Sequence, residues 1–296
     1  MNKVWFITGS SRGLGRSLTE AVLENGDSVA ATARNTGQLN QLVERYGTQI
    51  LPLQLDVTDQ EQVNSTVDKA VKYFGRIDVL VNNAGFGIVG AAEAFTEDQV
   101  RSQLETNLYA PIAITRAVLP HMRKQGGGRI LQISSIGGRV GNAGLTMYQA
   151  AKFGLGGFTE ALAKEVGPLG IYVTSIEPGG FRTDWAGASM TYARDIEGYE
   201  LVKQRTELFQ SGKFIPVGNP AKAAQTMVEL AVHPEPPVHL ILGSEAYGIL
   251  QAANASRDAE MEKWKTVSLS TDHAGSEDFL STNAGQFYTQ GVQRKQ

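Results

Sequence analysis

Short apolar runs alternate with helical stretches from residue 3 to about residue 243, and this alternation restricts the fold more than any other feature of the chain. Strands are predicted near 3–7, 28–33, 50–55, 77–81, 129–134, 171–176 and 238–242. The runs Ser28–Thr32 and Ile171–Ile176 are short and rich in β-branched residues, as buried strands are. Helices are predicted near 14–25, 36–46, 60–74, 97–124, 146–166 and 220–232. Asn25-Gly26 ends the first and Gly167-Pro168 stops the fifth, since glycine caps a helix and proline cannot continue one. Strands separated by helices form right-handed βαβ units around a parallel sheet. Strands that are nearly all apolar are covered on both faces. The expected architecture is therefore a single α/β domain, a doubly wound parallel sheet of seven strands with helices on both faces.

Two regions break the alternation. Residues 184–219 follow a strand end and are rich in Tyr, Trp, Phe and charge, a composition suited to a lid over a site at the strand carboxyl ends. Residues 244–296 begin with a helical pattern from Tyr247 to about Lys265 and end in a Ser/Thr/Gly/Gln-rich tail. The expected division is a core over 1–243, including the lid, followed by a C-terminal extension over 244–296. With 42% apolar and 19% charged residues the chain can bury a sizeable core. A net charge of −3 argues against a nucleic-acid partner, which would favour a basic chain. There is no cysteine, which excludes disulfides, thiolate metal sites and a cysteine nucleophile. The four histidines show no metal-ligand spacing, so no metal is expected. No apolar stretch is long enough to span a membrane, and Val4–Ile7 is too short for a signal-peptide core. A cytoplasmic location is the expectation. Glycine stands out at 33 residues, about 11% against a usual ~7%, so many tight turns and close backbone approaches are expected.

The first predicted strand runs into Thr8-Gly9-Ser10-Ser11-Arg12-Gly13-Leu14-Gly15. The glycine spacing is not the strict G-x-G-x-x-G fingerprint, but a strand precedes it and a helix follows. Glycines here let backbone approach a pyrophosphate, and the helix N-terminus offers free N–H groups. An ordinary strand-to-helix turn is the competing reading. A dinucleotide site would use Gly9, Ser11, Arg12, Gly13, Leu14 and Gly15. At the end of the second strand, where an acidic residue would take the ribose 2′-OH of NAD, stands Thr32-Ala33-Arg34-Asn35. Arg34 and Arg12 would instead hold a 2′-phosphate, because guanidinium groups bind phosphate bidentately. The cofactor expected is NADP(H).

Tyr148 and Lys152 lie one helical turn apart on one face. The spacing alone decides nothing, because Tyr199 and Lys203 repeat it. Position separates the two pairs. Tyr148 follows Ser135 by 13 residues, and Ser134-Ser135 closes a predicted strand, so the serine and the tyrosine can face one crevice. Tyr199 and Lys203 sit in the expected lid as an exposed helix pair.

These residues, with Asp56-Val57, Asn82-Asn83-Ala84-Gly85, Thr106-Asn107-Leu108 and Pro178-Gly179 followed by Thr183, resemble the short-chain dehydrogenase/reductase family of the compact NAD(P)-dependent type. The likeness runs from residue 3 to about 243. It implies a Rossmann-like sheet in the order 3-2-1-4-5-6-7 and a catalytic tetrad of Asn107, Ser135, Tyr148 and Lys152. By the same likeness Asp56 and Val57 flank the adenine, and Asn82, Ala84 and Gly85 line the cofactor near the adenine ribose. Pro178, Gly179 and Thr183 close over the nicotinamide, Tyr148 and Lys152 touch it, and Asn83 stabilises the sheet. Ser135 would hold the substrate oxygen, Asn107 would fix a water leading to Lys152, and Tyr148 would pass the proton. Lowering a phenol from pKa near 10 to about 7.5 requires roughly 3.4 kcal/mol. A cation about 4 Å away supplies roughly 4 kcal/mol at an effective dielectric of 20, so Lys152 alone is expected to suffice.

The resulting expectation is an oxidoreductase that reduces a ketone or aldehyde to an alcohol with NADPH, reversibly. An NADP(H)-binding redox sensor without turnover and a tetrad-using epimerase or dehydratase are the alternatives. Trp185, Tyr192, Tyr199, Phe209 and Phe214 either line a substrate pocket or pack within the lid. The long helices near 97–124 and 146–166 suit a homo-oligomer, a dimer or tetramer.

Overall fold

Trp5 and Ile7 of the first strand belong to one apolar layer and Phe6 to another, and none of the three is exposed. A strand alternates its side chains between two faces, so both faces of the sheet must be covered. The computed structural model, which describes residues 2–187 and 189–289, meets that requirement with two helical layers. In chain order the principal elements are β1 (Val4–Ile7), α1 (Gly13–Glu24), β2 (Ser28–Ala33), α2 (Asn40–Tyr46), β3 (Ile50–Gln54), α3 (Gln60–Phe74), β4 (Val79–Asn82) and β5 (Gly87–Val89). They continue with α4 (Glu97–Leu104), α5 (Ala110–Gln125), β6 (Gly128–Ile133), α6 (Thr146–Val166), β7 (Ile171–Pro178), β8 (Met190–Tyr192) and α7 (Glu200–Gln210). The last are α8 (Pro220–Leu230), β9 (His239–Leu242), α9 (Ser244–Leu269) and α10 (Asn283–Thr289).

Seven strands form one sheet in the order β3-β2-β1-β4-β6-β7-β9, and every pairing is parallel. This is the doubly wound, Rossmann-like sheet, with the order the resemblance implies. Residues of α1, α2 and α8 pack with Trp5 and Ile7, and residues of α3, α5 and α6 with Phe6. The backbone packs as one compact unit to Ile249 and a second from Leu250 onward. Among the described residues no helix is long and apolar enough to cross a membrane.

Two features depart from the expected pattern. The helix expected over 97–124 is interrupted by a π-helical turn over Glu105–Tyr109. Pro111 explains the break: it lies four residues beyond Asn107, has no N–H, and its ring would clash with the Asn107 carbonyl in a regular helix. The lid also adds a short strand, β8, which pairs in parallel with β5 as a separate two-stranded sheet.

A charged cluster ties the sheet to the loop after β6. Glu177 of β7, 1% exposed, accepts from Arg139 Nη1 at 3.1 and 3.3 Å, from Ser175 Oγ at 3.1 Å and faces His239 Nδ1 at 2.5 Å. His239 Nε2 lies 2.9 Å from Glu160 of α6. The Glu177 hydrogen bond raises the His239 pKa above 6.5 against the effect of burial; the Glu177 and Glu160 charges add to it and Arg139 opposes it. A raised folded-state pKa means that protonated His239 stabilises the fold below 6.5 and that this contribution fades as pH rises through the raised value. The stability advantage of the wild type over His239→Gln, measured by urea unfolding, is expected to be largest near pH 6 and to shrink as pH rises above it.

Candidate active site

Parallel strands of this topology end on one side of the sheet, and β1, β4, β6 and β7 open there onto a cavity of about 1130 Å³. At one end lies the glycine turn. Gly9 (φ 69°) and Gly13 (φ 57°) adopt left-handed backbone, which only glycine enters freely. Gly9, Ser11, Arg12, Gly13 and Leu14 all line the cavity. Helix α1 starts there with no side-chain cap and no acidic residue in its first turn, so its free N–H groups and positive dipole end remain available to an anion. Arg12 and Arg34 are exposed, line the cavity, and make no ion pair among the described residues. Asp56, Val57, Ala84 and Gly85 line the same stretch.

Gly15 and Asn82, predicted to hold cofactor, lie off the cavity wall. A Cβ on Gly15 would stand 2.3 Å from both Asn83 Nδ2 and Gly9 O, so this glycine serves the packing of α1 against the strand ends. Asn82 is 2% exposed and donates to Pro111 O, Thr115 Oγ1 and Gln132 Oε1 at 3.2, 3.0 and 2.9 Å. Its amide joins buried sheet to α5. Asn83, predicted only to stabilise the sheet, bonds Thr8 O and Gly9 O at 2.8 and 3.1 Å and also lines the cavity.

At the other end the cavity brings together Asn107, Ser135, Tyr148 and Lys152. Ser135 Oγ accepts the Gly137 N–H at 3.0 Å and hydrogen-bonds the Tyr148 phenol. Lys152 Nζ donates to Ile133 O at 2.7 Å and lies 5.8 Å from the Tyr148 ring centre. Asn107 sits on the π-helical turn with no exposure. Both polar atoms of its side chain engage the Phe86 backbone, Nδ2 to O at 2.9 Å and Oδ1 from N at 3.2 Å. The side chain thereby fastens the π-helical turn to the segment after β4. Pro178, Gly179 and Thr183 line the wall above.

A family model described as short chain dehydrogenase matches residues 3–192. The chain belongs to the short-chain dehydrogenase/reductase family. Oxidoreductase BOA17 of Botryotinia fuckeliana is 44% identical over 273 residues, 92% of this chain and 100% of that protein. The 3-oxoacyl-[acyl-carrier-protein] reductase FabG of Vibrio harveyi is 35% identical over 229 residues, 77% of this chain and 89% of that protein. A solved short-chain dehydrogenase from Streptomyces avermitilis is 39% identical with a TM-score of 0.87, covering 92% of this chain and 99% of that one. The protein is an oxidoreductase of this family.

Desolvation governs the charge states at the centre of this short-chain dehydrogenase/reductase site. Burial raises the Tyr148 phenol from 10.0 to about 12, and the Ser135 hydrogen bond offsets only part of the rise. Burial lowers the Lys152 ammonium from 10.5 to about 8. This reverses the expected direction for Tyr148. The lysine turns its head to a carbonyl, while both groups lose water. At neutral pH the phenol keeps its proton and the lysine is mostly charged.

The lid aromatics divide between the two expected roles. Trp185 packs against Tyr148 with ring centres 5.3 Å apart and planes tilted by 57°, and Trp185, Phe209 and Phe214 line the cavity. Tyr192 packs beside Val89 and Met190, whereas the Tyr199 hydroxyl binds Glu93 at 2.6 Å, away from the cavity. Gln149, Arg205 and Glu245 line the wall without having been predicted. The tyrosinate absorbance difference between the protein alone and its Tyr148→Phe variant is expected to stay flat between about pH 7 and 10, where an unshifted tyrosine would begin to ionise. A difference signal below pH 9 would show the phenol to be lowered instead.

Proposed function

We propose that this chain reduces a ketone or aldehyde carbonyl to an alcohol with NADPH, the carbonyl lying between Ser135 and Tyr148. The observation that carries the reading is the hydrogen-bonded Ser135–Tyr148 pair, with Lys152 behind it, at the far end of one cavity from two unpaired arginines. The cofactor fits the residues present. The uncapped start of α1 and the left-handed glycines suit a pyrophosphate, and Arg12 with Arg34 suits a 2′-phosphate. Thr183, beside Gly13, would close over the nicotinamide end; a Cβ on Gly13 would lie 3.6 Å from Thr183 Cβ. When bound, the reduced nicotinamide supplies a hydride to the carbonyl carbon.

The chain's own groups manage the oxygen. Ser135 accepts from Gly137 and directs its hydroxyl proton to the Tyr148 phenol oxygen, a proton that an incoming carbonyl oxygen would take over. Tyr148, protonated at neutral pH, donates its proton to that oxygen as negative charge develops there. The phenolate left behind is stabilised by the Lys152 ammonium in a dry site, where a charge interaction is stronger than in water. Trp185 packs on the Tyr148 ring and helps exclude water.

Tyr148→Phe is expected to lower kcat on a responsive ketone by about a hundredfold or more, within the range of a lost proton donor, while NADPH binding followed by nicotinamide fluorescence stays within about threefold. Retention of most of the rate would remove Tyr148 from the role. Arg34→Asp is expected to lower the NADPH-to-NADH ratio of kcat/KM by about tenfold or more, the scale of one charge-assisted contact. An unchanged ratio would overturn the phosphate assignment. Tight NADPH binding without turnover on aryl, aliphatic and cyclic ketones would favour a sensor.

A further inference from the structure

The wall that α7 contributes to the cavity carries a charge that carbonyl reduction does not use. Arg205, at the middle of α7, lines the cavity. Its stem lies over the turn that leads into α6: a Cβ added at Gly144 would stand 3.5 Å from Arg205 Cδ. The Nε–H is buried and has no acceptor. The side chain makes no ion pair and no hydrogen bond among the described residues. Burial pushes its pKa down, and no acid's charge acts to restore it. Of the acids that line the cavity, Asp56 accepts from Thr58 and Glu245 from the Gly180 N–H, and neither they nor Asp184 pairs with Arg205 among the described residues. A guanidinium does not shed its proton in a protein, and a buried N–H without an acceptor is rare in a native fold. Its acceptor therefore belongs to a molecule that the cavity takes in.

A row of aromatic rings runs from Tyr148 into the segment that carries Arg205. Tyr148 and Trp185 stand 5.3 Å apart, Trp185 and Phe209 6.4 Å, and Phe209 and Phe214 5.3 Å. Such a row accepts a flat or aliphatic body and offers it no polar partner. The Nε edge of a guanidinium matches the two oxygens of a carboxylate in a bidentate pair. We propose that the substrate is an oxo-carboxylate whose carbonyl is reduced at Tyr148 and whose carboxylate pairs with Arg205, the apolar spacer lying along Trp185 and Phe209. This rests on the reductase reading above and narrows it to a substrate class.

The test uses methyl-ketone acids from 4-oxopentanoate to 9-oxodecanoate, each with its methyl ester, as substrates for the full chain with NADPH. At the best-fitting length the acid is expected to exceed its ester in kcat/KM by about tenfold or more, the scale of a charge-assisted pair. Arg205→Met is expected to bring the acid-to-ester ratio to about one, and Arg205→Lys, which keeps the charge without the fork, to an intermediate value. Should Arg205→Met not fold, a wild-type ratio that falls with added salt reads the same ion pair, and a salt-independent ratio overturns it. Esters reduced as well as acids at every length, or a ratio that Arg205→Met leaves unchanged, would overturn the carboxylate subsite while the reductase reading stands. If no member consumes NADPH, the reductase reading fails instead. Calorimetric binding of each acid and ester to the NADPH-loaded protein then decides the subsite by the same ratio and its loss in Arg205→Met.

Discussion

Two side chains at the ends of neighbouring strands hold the site open. Thr8, just past β1, accepts the N–H groups of Asn83 and Ala84 on its hydroxyl at 2.9 and 3.0 Å. Asn83, just past β4, returns its amide to Thr8 O and Gly9 O. The exchange satisfies backbone groups that would otherwise be stranded where the β1–β4 ladder stops. It also fixes the glycine turn against the segment that lines the middle of the cavity. Gly15 makes the arrangement possible, because any side chain there would occupy the space of the Asn83 amide. The cavity thus has a rigid floor from which the arginines at one end and the serine–tyrosine pair at the other are both positioned.

Desolvation sets the chemistry of that floor. Tyr148 and Lys152 are 6% and 5% exposed, and burial drives both toward their neutral forms. The opposite shifts follow from one cause, because the charged form of each group is the one that loses most on leaving water. The protein alone therefore keeps a protonated phenol beside a lysine that is close to titrating. Such a pair is suited to giving up a proton as charge grows on a neighbouring oxygen, since the lysine then gains the counter-charge that burial denies it.

Backbone hydrogen bonds anchor β8 of the lid. The Ala193 N–H bonds Val89 O at 2.8 Å, and the Gly90 N–H bonds Gly144 O at 3.0 Å. Gly87 and Gly90 let the strands approach; a Cβ on Gly90 would stand 2.5 Å from the Cβ of Ala193. These bonds carry β8 onto the protein next to Tyr148 and bring the rings of Trp185 and Phe209 with it. Arg205 arrives on the same segment, which places a cation beside these rings.

The alternation of apolar runs and amphipathic stretches was enough to determine a covered parallel sheet, because period-2 and period-3.6 burial are local properties of the chain. The glycine turn, the Tyr148–Lys152 spacing and Ser135 at a strand end were legible for the same reason: each is a short motif whose geometry comes from its own element. Choosing Tyr148 over Tyr199 needed only the position of Ser135. Other features required packing. Asn82 and Asn83 are adjacent and chemically identical, and only the turn at the end of β4 decides that one faces α5 and the other the cavity. The π-helical turn at Asn107 was foreshadowed by Pro111, yet its role in clasping Phe86 depends on a segment 21 residues away. The direction of the Tyr148 pKa shift depends on how much water the lid removes, a property of the whole cavity. Arg205 reads in the sequence as one more charged helix residue; only tertiary contacts bury its Nε without an acceptor and turn it toward the site.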